Sequence, residues 1–479
     1  MRSRGPWLGI SLIAAIAVLS SAFADGGVQG SVEIRDVSGD SAGAANTQLC
    51  RFEIHGGYLR PARSDEWWVQ KDDGGPADPS RAVLSGTYLA DATGGWTAGP
   101  FQLDEGGYVL FVNTVGSPRP GVSQLRRPFR VGCQDSPSAL RVQGNRLLDP
   151  SGQTLLLRGV NRMGLEYSCV QGKGLMSEPL DQRSVDALKD WRVNVVRLPL
   201  NEHCWLGIDG EPKGEPYRQG VADLVDLLVS NGLYVILDLH WSAPHTRLAT
   251  RMDPMPNTDY SASFWTSLAN RFKGQDRVMF DLFNEPVPNS NKKDDTDEAA
   301  RRSWECWRDG AAGGTCDATQ LDGMAGSEVA GMQSLVDAVR ATGARNVIML
   351  GGIQFANTLW SNSRRNWLAY KPIDPLNRLV ASLHTYNMTW CRSTSCLQLE
   401  VAPIAAQAPV VAAEIGNDAC DGPWLTTLLR WLDQQGAGYL AWTWNVGAGS
   451  DCASMKLIVD DAGTPSTYGQ IYKSHLASL

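Results

Sequence analysis

Two glutamates stand out by the segments that carry them. Val278-Met279-Phe280-Asp281-Leu282-Phe283 is a near-continuous apolar run that stops at Asn284-Glu285-Pro286, and Val410-Val411-Ala412-Ala413 runs into Glu414-Ile415-Gly416. Such runs read as strands buried on both faces. Proline ends the first because it has no N–H for a sheet ladder. Each glutamate is therefore expected at the C-terminal tip of a buried strand, which in a parallel α/β barrel is where reacting groups sit. A lone strand-end glutamate is ordinarily just an exposed charge. Two of the same design suggest a carboxylate pair across a cleft, the chemistry that cleaves a glycosidic acetal.

Other polar residues recur where apolar runs end. Arg197 follows Val196, His240 closes Leu237-Asp238-Leu239, His384 and Tyr386 follow Leu383, and Trp444 lies in Trp442-Thr443-Trp444-Asn445. Asp238 and Asp281 have the strand parity of His240 and Glu285, so they should face the barrel interior. They read as structural carboxylates, with Arg158 as a candidate partner, since buried carboxylates are usually paired.

These residues need a barrel to bring them together. The strands expected are 155–160, 194–198, 233–239, 278–283, 347–350, 379–383, 410–413 and 438–442. Helical patterns lie between them, for example at 220–230, 261–271, 329–341 and 425–434. Eight strand–helix units predict a (β/α)8 barrel over 138–479, larger than the roughly 250 residues usual for that fold and so carrying enlarged loops. A hairpin around Gln143-Gly144-Asn145 opens this stretch. Residues 25–135 show short β-type runs between Gly and Pro turns and predict a small all-β sandwich, an accessory domain in which Trp67, Trp68 and Trp96 are either core or a sugar platform. Residues 1–24 have the form of a secretory signal cleaved after Ala24, with Arg2 and Arg4, an apolar stretch from Leu8 to Leu19, and Ala22-Phe23-Ala24.

Composition narrows the partners. The 43 basic and 51 acidic residues of the 479 leave a net charge of −8, so no basic footprint invites nucleic acid. No segment outside the leader is long and apolar enough to span a membrane, and the protein is expected to act as a monomer. The ten cysteines suit disulfides in an oxidising compartment. Cys50 and Cys133 are the only two in the N-terminal stretch and are expected to pair, tying an early strand of that stretch to its last. The other eight lie in loops leaving strand C-termini, and neighbour pairing gives Cys169–Cys204, Cys306–Cys316, Cys391–Cys396 and Cys420–Cys452. Connectivity is not deducible from sequence alone, but adjacent loops can meet the Cα spacing a bridge needs.

Over about 140–479 the sequence resembles glycoside hydrolase family 5, which contains many cellulases and mannanases. The family's pattern of Arg, His, Asn-Glu, His-x-Tyr, Glu and Trp on successive strand ends falls on Arg197, His240, Asn284, Glu285, His384, Tyr386, Glu414 and Trp444. The resemblance implies retaining hydrolysis of a β-glycan, with Glu414 as nucleophile and Glu285 as acid and then base. Arg197 and Tyr386 would support Glu414, Asn284 would bind the sugar 2-hydroxyl, His240 and His384 would contact sugar or Glu285, and Trp444 would form the platform under the cleaved sugar. No metal or organic cofactor is required. The best substrate expectation is β-1,4-glucan cut internally, with mannan, xyloglucan, β-1,3-glucan or exo action as alternatives. A non-catalytic carbohydrate-binding protein on the same scaffold is the reading from another class. Trp205, Trp241, Trp304, Trp307, Trp360 and Trp390 sit in or beside the strand-end loops as candidate subsite aromatics, and Glu166 and Glu202 lie in the first two loops without a legible role.

Overall fold

A computed structural model describes residues 31–36, 50–57, 64–71, 80, 82–89, 96–103, 106–113, 124–131 and 140–479, the last range save 177, 179, 209–213, 246, 290–295, 318–323 and 447–451. The chain divides into two compact units, Met1–Ser136 and Pro137–Leu479.

In the first unit the backbone forms two antiparallel sheets. One has the order β1-β2-β5, from Ser31–Asp36, Cys50–Gly57 and Trp96–Leu103. The other has the order β4-β3-β6-β7, where β3 is Ser64–Lys71, β4 Leu84–Leu89, β6 Gly106–Asn113 and β7 Gln124–Val131. The expected leader and Cys133 lie outside the described residues, and with Cys133 so does the Cys50–Cys133 bridge.

The second unit opens with the expected hairpin, β8 (Arg141–Gln143) and β9 (Arg146–Leu148). A closed barrel of eight parallel strands follows: β10 (Arg158–Asn161), β11 (Val195–Asn201), β12 (Tyr234–Trp241), β13 (Val278–Asp281), β14 (Ile348–Gly351), β15 (Leu379–Tyr386), β16 (Val410–Gly416) and β17 (Gly438–Ala441). Each strand pairs with the next in sequence, and β10 pairs with β17 to close the ring. Helices between and after the strands include α1 (Gln182–Asp190), α2 (Glu202–Leu206), α3 (Gly214–Ser230), α4 (Ser261–Phe272), α5 (Asp297–Asp309), α6 (Met332–Ala341), α7 (Trp367–Tyr370), α8 (Thr394–Glu400), α9 (Ala402–Ala405), α10 (Gly422–Gln435) and α11 (Thr467–Ala477). Their starts follow capping chemistry: Asp181 and Asp421 accept from the N–H groups of Ser184 and Trp424, and Gly436 ends α10 in the left-handed region.

Alternation along the strands sorts the core into two layers. Val195, Ile236, Met279, Met349, Val380 and Val411 fill the barrel with Leu140 and Leu147 from the hairpin region. Residues of opposite parity, such as Val196, Leu237, Phe280 and Leu383, pack outward against the helices. The interior residues nearer the strand ends are polar, and they build the site.

Arg158 falls on the outward parity of β10. It pairs with Asp433 at 2.5 Å and lies over the Tyr439 ring, 4.4 Å from its centroid, so it is not the partner of Asp238 and Asp281 that the sequence suggested.

Candidate active site

Arg197 points inward from β11 and is fully buried. Nε donates to Asp281 Oδ2 (3.0 Å), Nη1 to Glu414 Oε1 (2.7 Å) and Asn161 Oδ1 (3.0 Å), and Nη2 to Asn284 Oδ1 (2.9 Å). Nη2 also forms an ion pair with Asp238 Oδ1 at 3.0 Å. Burial alone would weaken its hold on the proton, but the charges of Asp238, Asp281 and Glu414 outweigh that and raise its pKa. Asp281 is pushed up by burial and by the charges of Asp238 and Glu414, against the pull of Arg197.

Glu414 reaches this guanidinium through a departure from strand regularity. Val411 and Ala413 already face the interior, so strict alternation would turn Glu414 outward. The pairing of β16 shifts register between Leu383 and His384 on one side and between Ala412 and Ile415 on the other. Such a bulge re-aims a side chain, and it sets Glu414 beside Ala413 in the interior. Tyr386 donates from its hydroxyl to Glu414 Oε2 at 2.5 Å. Its ring lies against Gly416, where an added Cβ would come within 2.2 Å of Tyr386 Cε1, so only glycine lets the ring sit there.

Glu285 follows β13 on the facing wall. One oxygen of Glu285, one of Glu414 and a ring nitrogen of His384 all lie within 4.8 Å of one another. His384 Nδ1 is 3.0 Å from Glu285 Oε1 and 3.5 Å from Glu414 Oε2. The two glutamates differ in environment. The Glu285 side chain is 18% exposed and, among the described residues, forms no ion pair with an arginine, whereas that of Glu414 is 4% exposed and held by two donors. Burial pushes the Glu285 pKa up to about 7, against the opposing pull of His240 and Arg197. Burial pushes His384 down to about 4, so its imidazole is neutral near pH 7. Both oxygens of Glu414 are occupied by donors, so this trio is arranged for proton transfer and attack more than for holding a cation.

Asn284 has its Oδ1 tied to Arg197, which leaves the NH2 as its working end. That group faces the Met252 thioether at 3.2 Å, a contact from the loop after β12. His240 Nδ1 bonds Asp238 Oδ2 at 2.7 Å. Burial disfavours its charged form, but the bond and charge of Asp238, helped by Glu166 and Glu414, raise its pKa. The His240 ring stacks on Trp442, centroids 5.5 Å apart and planes 11° from parallel.

Trp442, half-buried, and not Trp444, is the tryptophan that lies against the His240 ring. Trp444 is 2% exposed and packs edge-on against Trp191 at 4.9 Å, inside the wall of the barrel. Arg197, His240, Asn284, Glu285, His384, Tyr386 and Glu414 are brought together, and Trp444 is not. Three further aromatics are removed from the candidate subsites because they are fully buried. Trp205 donates to Ser267 Oγ and packs on Phe264, Trp304 donates to Ser361 Oγ, and Trp307 donates to Gly351 O. Trp241 and Trp360 remain partly open, Trp241 beside Tyr167, and Trp390 is 68% exposed after β15.

Glu166 and Glu202 are buried in the loops after β10 and β11. Glu166 accepts from Gly164 N at 2.6 Å, and burial raises its pKa. Glu202 accepts from Ser261 Oγ (2.6 Å) and Asn257 Nδ2 (2.8 Å), tying α2 to the loop before α4, and burial pushes it up to about 7. The loops are also cross-linked by Cys169–Cys204, Cys306–Cys316, Cys391–Cys396 and Cys420–Cys452, with Cα separations of 6.3, 4.9, 5.4 and 5.2 Å. Among the described residues no helix is long and apolar enough to cross a membrane.

Comparison with known proteins agrees with this geometry. The family described as cellulase (glycosyl hydrolase family 5) matches residues 148–448. The chain belongs to glycosyl hydrolase family 5. It is 28% identical over 151 residues to endoglucanase E-5 of Thermobifida fusca, covering 31% of this chain and 28% of that one. It is 23% identical over 350 residues to cellulase CelDZ1 of a Thermoanaerobacterium species, covering 70% and 77%. Its matches to the first three relatives span under a third of their lengths, at 28%, 32% and 27%. The solved β-glucanase SdGluc5_26A of Saccharophagus degradans, also solved with cellotetraose, shares the fold at a TM-score of 0.51 and 19% identity, over 74% of this chain and 98% of that one.

Proposed function

We propose that the protein is an exported retaining β-glycoside hydrolase that cuts a β-1,4-glucan internally. The observation that carries this is the carboxylate pair. Its nearest oxygens fall within 4.8 Å, closer to the roughly 5–5.5 Å carboxyl separation of a retaining pair than to the roughly 6.5–9.5 Å of an inverting one. The endoglucanase and cellulase names of the relatives support the substrate class. The leader-like 1–24 and the disulfide-rich loops support export.

In this reading Glu285 enters the cycle protonated and Glu414 ionised. Glu414 attacks the anomeric carbon as the C1–O bond breaks, and Glu285 gives its proton to the leaving oxygen. The glycosyl ester on Glu414 is then opened by a water that Glu285 deprotonates, which restores both groups. Arg197 and Tyr386 hold the charge on Glu414 before attack and on its departure. The Asn284 NH2 meets the sugar 2-hydroxyl, and Trp442 underlies the ring with His240 behind it. Residues 25–135 act as an accessory domain outside the chemistry.

Reducing-end release from carboxymethylcellulose, mannan, xyloglucan and a β-1,3-glucan tests the proposal. A rapid fall in viscosity on the cellulose derivative, with few ends released, is expected of internal cutting. Preference for another polymer would move the specificity within the family, and release from none would return the protein to a binding role.

A further inference from the structure

We propose that Asn161 is a positioning residue for the nucleophile, its side chain fixing the Arg197 guanidinium and the backbone beneath Glu414 in one relation. The inference rests on reading Glu414 as the nucleophile. Asn161 ends β10 and is fully buried. Its Oδ1 accepts from Arg197 Nη1 at 3.0 Å, the same nitrogen that donates to Glu414 Oε1 at 2.7 Å. Its Nδ2 donates to Ala413 O at 2.8 Å. That carbonyl belongs to the residue before Glu414, at the bulge where β16 shifts register. The amide is therefore oriented by both ends, and one planar group spans the cation and the peptide that set the position of the attacking carboxylate.

A neutral acceptor is required at this point. Arg197 already faces Asp238, Asp281 and Glu414. Asn161 satisfies the remaining Nη1 proton without adding a fourth anion, so the guanidinium charge is not drawn further from Glu414. Replacement by alanine would strand an N–H and a carbonyl in the interior and let both Arg197 and the bulge relax.

The main chain of Asn161 does a separate task. Its carbonyl accepts from Trp444 N (2.8 Å) and Thr443 Oγ1 (3.0 Å), anchoring the segment that presents Trp442. These bonds do not involve the side chain, so substitution should disturb attack while leaving the sugar platform in place.

The test is steady-state kinetics of full-length Asn161→Ala and Asn161→Asp on a soluble cello-oligosaccharide, with folding checked by thermal melts and near-ultraviolet dichroism. Asn161→Ala is expected to lower kcat by roughly a hundredfold, as a small misplacement of a reacting group does, and to hold KM within about twofold, since ground-state binding is untouched. Asn161→Asp keeps an oxygen toward Nη1 but repels Ala413 O and competes with Glu414 for Arg197. It should therefore also lower kcat while holding KM within about twofold. Wild-type kcat in both variants, equal losses in kcat/KM carried by KM, or losses that track only the folded fraction would overturn the inference while the enzyme remains a hydrolase. A wild type inactive on every β-glycan would overturn the functional reading and this inference together.

Discussion

Trp442 stacks on His240 while Trp444, two residues on, lies edge-on to Trp191 inside the barrel wall. The two tryptophans should therefore fail differently. Trp442→Ala should cut kcat/KM on a short oligosaccharide by roughly threefold to tenfold, the worth of one stacked aromatic contact. Trp444→Ala should lower the melting temperature, since emptying a core tryptophan site costs about 3–5 kcal/mol, yet leave kcat/KM per folded molecule near wild type. The reverse pattern would return Trp444 to the platform.

The unequal settings of the two glutamates separate their roles. Glu414→Ala should abolish turnover, because no other side chain can form the ester. Glu285→Ala should retain activity on aryl glycosides whose leaving group needs no proton. Azide should accelerate that variant and give a β-glycosyl azide, whereas Glu414→Ala should give the α product. Product configuration is read by nuclear magnetic resonance, and the same anomer from both variants would refute the assignment.

Burial of Glu285 fixes the direction of the pH profile. Its pKa is pushed up to about 7, and the first step needs the protonated form. Activity limited by that step is thus full below about 7 and is lost as pH rises through it. His384, pushed down to about 4, stays neutral across this window. The alkaline limb of kcat/KM should be present with a poor leaving group and absent with a dinitrophenyl one. A limb that persisted with both would have to come from another group.

Glu202 predicts a stability effect remote from the chemistry. Burial raises its pKa from the ordinary 4.5 to about 7. The folded state therefore holds this proton more tightly than the unfolded one. The associated stability is complete below about 4.5, declines as pH rises through about 7, and totals about 3 kcal/mol. Glu202→Gln carries no titrating proton, and its amide can still accept from Asn257 and donate to Ser261. Between pH 5 and 7.5 its denaturation midpoint should fall less than that of wild type. Equal falls would show that another group, such as Asp281, carries the dependence.

The barrel was legible because strands buried on both faces are written as apolar runs of strand length, and the reacting residues interrupt those runs at one end. Parity was the weaker guide. Applied to β10 it would have turned Arg158 outward and left Arg197 as the cation for Asp238 and Asp281. Applied to β16 it misleads, because the bulge at Ala413 and Glu414 has no sequence mark. Trp304 and Trp307 stand three apart on α5 with Ala300 and Ser303, a helical face that packs inward. Nearness to a strand-end loop therefore did not make them subsite residues. Trp442, directly at the end of β17, held the position by which the other site residues were found. Met252 and Asn161 carry no signal without the fold.

Every nitrogen of the Arg197 guanidinium is bonded to protein atoms, and no part of it is exposed. The group that governs the nucleophile is therefore blind to the substrate. In the proposed reading its one link to the sugar is indirect, through the Asn284 oxygen that Nη2 holds. If these aromatics serve as subsites, as proposed, exchanging the segments that carry Trp360 or Trp390 should change polymer preference while Arg197 keeps its bond to Glu414.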